Sequence, residues 1–258
     1  MESLTSIEKH RGVKKVLIIL AFLALCLAEA TVAFAQIKPN PILNDPDYER
    51  EKRLRFGFSL GLNFMDFTVK SSVKPQVSLD NNTTQYFVDN SHIIPGFNVN
   101  AISDFRIVES LHLRFLPGLA FGQRDVSFYL PGEATPTTMK LESSFIEMPL
   151  SLKYSARRKN NMVPYLIAGV NFRVDMAAYK KLNLDEGVMI RLVKGDFYYE
   201  FGFGLDNFLT FFKFSTEIKY SSGFLNVFAD DYAEGAENFA QAIKHIRSNV
   251  VTIAFHFE

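Results

Sequence analysis

Residues 54–67 read Leu54-Arg55-Phe56-Gly57-Phe58-Ser59-Leu60-Gly61-Leu62-Asn63-Phe64-Met65-Asp66-Phe67. Phe56, Phe58, Leu60, Leu62 and Phe64 alternate with Gly57, Ser59, Gly61, Asn63 and Met65. Successive side chains of a strand point to opposite faces, so this stretch has one large apolar face and one small or polar face. A helix cannot sort it that way. Similar alternation recurs over 95–101, 111–122, 146–154, 164–174, 197–206, 212–220 and 251–257, which with 54–67 makes eight strands.

Each run approaches the roughly 9–11 residues that cross a bilayer at a tilt. The connections alternate in length. Long ones cover Thr68–Ser91, Arg124–Glu142, Asp175–Lys194 and Ser221–Arg247; short ones cover Ser103–Ser110, Ser155–Met162 and Asp206–Thr210. Long loops at one end and short turns at the other are the pattern of an outer-membrane barrel. The expected fold is all-β: an eight-stranded antiparallel up-and-down transmembrane β-barrel over 54–258. A soluble sandwich or lipocalin-type barrel would turn its apolar face inward. Eight strands leave an interior only wide enough for side chains, and a chain with 26 Phe cannot fit that face inside. The Phe face therefore meets outer-membrane lipid, and closure satisfies every backbone group there. On this assignment Phe201→Arg blocks assembly, whereas Gly202→Ala, facing the lumen, is much milder. Tyr154, Tyr165 and Tyr220, near strand ends, read as interface-belt residues.

The segment before the barrel reads as targeting sequence. Lys9, His10, Arg11, Lys14 and Lys15 precede an apolar run from Val16 to Ala28, and Ala33-Phe34-Ala35 is a small-x-small cleavage site. A signal peptide over 1–35, exported by the general secretory route, is expected. The apolar run is shorter than the ~20 residues of a spanning helix, and Leu25 before Cys26 is bulkier than a lipidation site favours. Cys26 is the single cysteine, so the mature chain has no disulfide or thiolate chemistry. Gln36–Arg53, with Pro39, Pro41, Pro46 and the run Glu49-Arg50-Glu51-Lys52-Arg53, reads as a polar periplasmic leader. Charge is balanced, 28 Lys+Arg against 28 Asp+Glu, which gives no nucleic-acid footprint.

The inward face carries His112, Arg114, Glu147, Lys153, Arg173, Glu200, Asp206, Lys213, Glu217, Lys219 and His256. Charges at membrane depth can line a pore or an active site. Their near balance of sign and the narrow interior favour a salt-bridged polar plug. No H-E-x-x-H, G-x-S-x-G or phosphate-binding Gly loop is present. Ser91-His92 is the one mature Ser-His neighbour pair, and adjacent strand residues point apart. Catalytic, cofactor and metal sites are therefore not expected. In the last long loop, Asp230-Asp231 could cap a helix with Ala236, Phe239, Ala240, Ile243 and Ile246 on one face. Glu234 and Glu237 early, and Lys244, His245 and Arg247 late, suit the helix dipole. That face either folds over the barrel mouth or docks a partner through Phe239, Ile243 and Ile246.

The first strand, ending Gly61-Leu62-Asn63-Phe64-Met65-Asp66-Phe67, resembles that of the PorT family, and Arg247-Ser248-Asn249 through Phe255-His256-Phe257-Glu258 is similar to that family's end. The resemblance spans the mature chain. It implies a non-enzymatic barrel component of the type IX secretion system, which moves cargo across the outer membrane and supports gliding in some Bacteroidetes. It implies other type IX components as partners and carries over no catalytic residue. A generic small barrel for adhesion or passive uptake, and a lipid-modifying barrel enzyme, are the alternatives. The final Glu258 stands where other outer-membrane barrels have Phe.

Overall fold

A computed structural model describes residues 42–43, 52–72, 76–77, 83–84, 86–89, 94–130, 137–177, 190–232 and 236–258. The expected signal peptide, most of the leader and the Ser91-His92 pair lie outside these residues. The elements run β1 (Leu54–Ser71), β2 (Gln76–Val77), β3 (Thr83–Thr84), β4 (Phe87–Asp89), β5 (Pro95–Val108), β6 (Leu111–Phe115), β7 (Gly118–Tyr129) and β8 (Thr137–Ser155). There follow β9 (Met162–Asp175), β10 (Ile190–Leu192), β11 (Gly195–Phe208), β12 (Lys213–Gly223), β13 (Phe228–Tyr232), helix α1 (Glu237–Gln241) and β14 (Ile243–Phe257). No helix among the described residues is long and apolar enough to cross a membrane.

The main sheet closes on itself. Its ring order is β1, β5, β6 with β7, β8, β9, β11, β12 and β14, and β14 pairs back with β1 from Phe58↔Phe257 to Ser71↔Ile243. All the pairings are antiparallel. The ring therefore has the eight strand positions that the alternation predicts. β6 and β7 share one position, parted at Leu116-Pro117, where proline has no N–H to give. Ala101 N–H bonds to Pro117 O at 2.9 Å and Leu116 N–H to Pro149 O at 3.1 Å, so the ladder continues through the break.

The faces fall as the alternation predicts. Phe56, Phe58, Leu60 and Leu62 stand outside, Phe56 at 68% exposure, while Arg55, Ser59 and Asn63 are buried inside. Outside, neighbouring strands present matched rings: Phe58 stacks on Phe257 with centroids 4.8 Å apart, and Phe97 on Phe121 at 4.9 Å. Tyr154 is exposed on the outer face, in keeping with a belt residue, but Tyr165 is buried in the lumen. Its place between Pro164 and Leu166 in the alternation had already set it on the inner face.

Several strands outrun the expected length. β1 has 18 residues and β8 has 19. Arg124–Glu142 is mostly a continuation of the β7–β8 hairpin, laddered out to Phe128↔Thr137, and not a loop. Ser103–Val108 is likewise strand, leaving Glu109-Ser110 as the turn. Leu43 N–H bonds to Asn161 Oδ1 at 3.0 Å, so this part of the leader lies at the short-turn end.

The helix expected between Asp231 and Arg247 is mostly absent. Asp230 and Asp231 belong to β13, which pairs with β10. α1 has five residues and no side-chain cap, and Lys244, His245 and Arg247 belong to β14. The reason is a bulge. The β1–β14 register shifts between Lys70 and Ser71, so Lys244 is an extra residue in β14. Ile243 and Ile246, three apart, then both face inward, which imitates helical spacing. β14 gains a full ladder on β1, whereas a short uncapped helix gains few hydrogen bonds.

Candidate functional site: a charged lumen under an apolar cap

Starting at the short-turn end, three polar layers fill the barrel. In the first, Arg114 donates through Nε to Asp104 Oδ2 at 2.9 Å and also bonds Glu258. His112 Nδ1 lies 2.6 Å from Asp104 Oδ1. Lys153 Nζ donates to Asp206 Oδ2 at 2.5 Å and sits 3.9 Å above the Tyr165 ring. Lys213 Nζ meets Glu258 Oε2 at 2.6 Å. Tyr165 OH donates to Glu217 Oε2 at 2.9 Å, and His256 Nε2 approaches the same oxygen at 3.3 Å.

The second layer centres on Arg173 and Glu200. Arg173 Nε lies 2.8 Å from Glu147 Oε1, and its Nη2 lies 3.5 Å from Glu200 Oε1. Asn171 and Ser221 donate to Glu200 Oε1 at 2.8 and 2.9 Å, and Lys219 Nζ holds Oε2 at 2.9 Å. A cavity of about 10 Å³, lined by residues that include Asn100, Glu147, Glu217, Lys219 and His256, separates the layers. That is about the least space that can hold a single water.

The third layer is Arg124. It donates to Ser143 and Ser248 and lies 3.2 Å from Asp175 Oδ2, with its guanidinium over the rings of Phe67 and Phe145 at 4.3 and 5.0 Å. Above it an apolar cluster closes the long-loop end. Phe67, Val126, Phe128, Met139, Ile190, Leu192, Val227, Ala236, Ala240, Ile243 and Ile246 form it. Phe239 packs on this cluster, edge to face with Phe128 at 4.9 Å and against Tyr86 at 4.9 Å.

The structure thus brings together all of His112, Arg114, Glu147, Lys153, Arg173, Glu200, Glu217 and Lys219, each buried in the lumen. Balanced charge within hydrogen-bond reach is what makes such burial tolerable. The expected docking trio is placed differently. Ile243 is 5% exposed, Ile246 is fully buried, and Phe239 is partly buried against the cap. These residues form the cover of the barrel mouth and present no free apolar helix face.

Residues beyond the sequence expectation complete the lumen: Asp104, Arg124, Asp175, Tyr165 and Glu258 are all buried or bonded there. Asp104, Arg124 and Asp175 fell in segments read as turn or loop, or at their edges. Their signal was the inward phase of the neighbouring strands carried a few residues further. At the short-turn end a cavity of about 640 Å³ remains, lined by residues that include His112, Lys153, Arg157, Arg158, Asp206 and Lys213. His112 and His256 each face a carboxylate, and no serine or threonine hydroxyl is bonded to either among the described residues. No group of three or more metal-ligating side chains assembles among the described residues.

No curated relative matches the sequence. Solved structures similar to this chain include the attachment invasion locus protein Ail of Yersinia pestis, at 10% identity and a TM-score of 0.33, covering 78% of this chain and 96% of that one. Another is the outer membrane protein AlkL, at 9% identity and a TM-score of 0.39, covering 78% and 90%. A third is the N-terminal barrel domain of OprF from Pseudomonas aeruginosa, at 10% identity and a TM-score of 0.29, covering 77% and 96%. The family described as outer membrane protein beta-barrel domain matches residues 34–229. That match takes in the ring from β1 through β12, and the chain therefore belongs to the outer membrane protein β-barrel domain family.

Proposed function

We propose that this chain is a non-enzymatic, non-conducting barrel that serves type IX protein secretion as a structural component of the outer membrane. The observation that supports a non-conducting scaffold is the filled lumen, three charged layers beneath an apolar cap. A barrel of this width has room for side chains or for a channel, not both. The secretion role rests on the resemblance of β1 and the end of β14 to the PorT family. On this reading residues 1–35 are removed after export by the general secretory route, and the other type IX components are the partners.

Deleting the gene in its host strands secreted cargo in the periplasm on this reading; normal cargo export in the deletion strain would remove it. A second reading, a free-standing barrel for surface adhesion, draws on the β7–β8 hairpin, which continues past the lipid-facing band at the long-loop end. Normal secretion together with lost surface attachment in the deletion strain favours that alternative. Passive uptake has no support from a filled lumen.

A further inference from the structure

The outer wall of β1 and β14 changes character above the lipid-facing band. Leu62, Phe64, Val251 and Ile253 face outward in the band, whereas Thr68, Lys70, His245 and Arg247 face outward beyond it, toward the long-loop end. The register sets Lys70 opposite His245 and Thr68 opposite Arg247. Arg247 stands four residues beyond Val251, about 10 Å along a tilted strand. That is the depth of the headgroups, and the long stems of Lys70 and Arg247 can bend back toward them.

Among the described residues no carboxylate is paired with this cluster. Among the described residues neither Lys70 nor Arg247 has an ion pair, and the charges acting on His245 come from Arg247 and Lys70. Asp66, the acid on the same wall, lies lower, opposite Asn249, and accepts a hydrogen bond from Phe67 N at 2.7 Å. Arg247 Nε donates to His245 Nε2 at 2.9 Å, which orients the guanidinium and leaves its terminal nitrogens for an outside acceptor. On the inner face of β14, by contrast, His256 approaches a carboxylate, Glu217 Oε2, at 3.3 Å.

We infer that Lys70, His245 and Arg247 form a binding site for a phosphate-bearing lipid headgroup of the outer leaflet. A guanidinium with free terminal nitrogens and a lysine across the ladder suit a phosphate, the first as a fork and the second as a point charge. The site lies on an open wall continuous with lipid-facing side chains, so an acyl-anchored phosphate presents itself at the correct depth, whereas a soluble anion finds no concavity to hold it.

The test uses the full chain refolded in detergent, offered diphosphoryl lipid A or the same lipid without its phosphates, with retention read by native mass spectrometry. Wild type retains the phosphorylated lipid at least fivefold more than the dephosphorylated one. The Lys70→Gln, Arg247→Gln double variant loses that preference while keeping heat-modifiable barrel migration, and Lys140→Gln, elsewhere on the outer part of β8, keeps it. Equal retention of the two lipids by wild type, or an undiminished preference in the double variant, overturns the inference. Displacement of the lipid by an equal concentration of inorganic phosphate also overturns it, by assigning the cluster to a free anion.

Discussion

Arg173 holds two carboxylates, Glu147 and Glu200, and its guanidinium lies 4.5 Å over the Tyr198 ring. Arg173→Met removes the charge and leaves both acids buried, which costs about 3–5 kcal/mol. Adding Glu147→Gln to Arg173→Met recovers part of that loss, because one uncompensated charge disappears; urea unfolding in lipid vesicles reads both. On the lipid face, Phe201→Arg costs about 2–4 kcal/mol at mid-membrane. Gly202→Ala does not serve as the mild control that the alternation suggests. An added Cβ would collide with the carbonyl oxygen of Ile218 and press on Cα of Lys219, both backbone atoms of the neighbouring strand. We expect Gly202→Ala to lower the refolded fraction as well, and Phe201→Leu to leave it unchanged; heat-modifiable migration on gels reports both. The facing of residues was legible from alternation because period two is a local property of the chain. What each inward charge touches was not, because Arg114 meets Glu258 only when the last strand closes on the first.

At the scale of elements, strand existence was legible and strand length was not. The apolar half of the alternation ends where lipid ends, but the ladder continues beyond it, since paired backbone is as favourable in the cap as in the bilayer. The segment before β14 misled for a definable reason: one bulged residue, Lys244, put Ile243 and Ile246 in phase three residues apart. Their burial changes what substitutions there should do. Ile246→Ala empties part of the cap and costs about 2–5 kcal/mol. The loss should appear first in the elements the cluster holds, β10, β13 and α1, as faster backbone hydrogen exchange, while the lumen-lining parts of β9 and β11 stay protected. Uniform loss of protection throughout the ring would mean that cap and barrel unfold as one unit.

For the whole molecule the decisive property is that the lumen is closed more than once along its length. The Arg114–Asp104–Glu258 layer, the Arg173–Glu147–Glu200 layer and the Arg124 layer lie in series, and the apolar cap follows. Seals in series make conductance insensitive to the loss of any one. Purified wild-type barrel in a planar bilayer is therefore expected to show no steady single-channel current. Ile243→Ser with Ile246→Ser disrupts the cap alone and should remain silent, since water admitted at the mouth still meets Arg124 and the two lower networks. Current should appear only when that change is joined to Arg114→Ala, Glu147→Ala, Arg173→Ala and Arg124→Ala, which empties all three charged layers of their bulkiest bridging groups. Steady current from the cap variant alone would show that the charged layers do not seal, and the lumen would then be a gated channel with the cap as its gate.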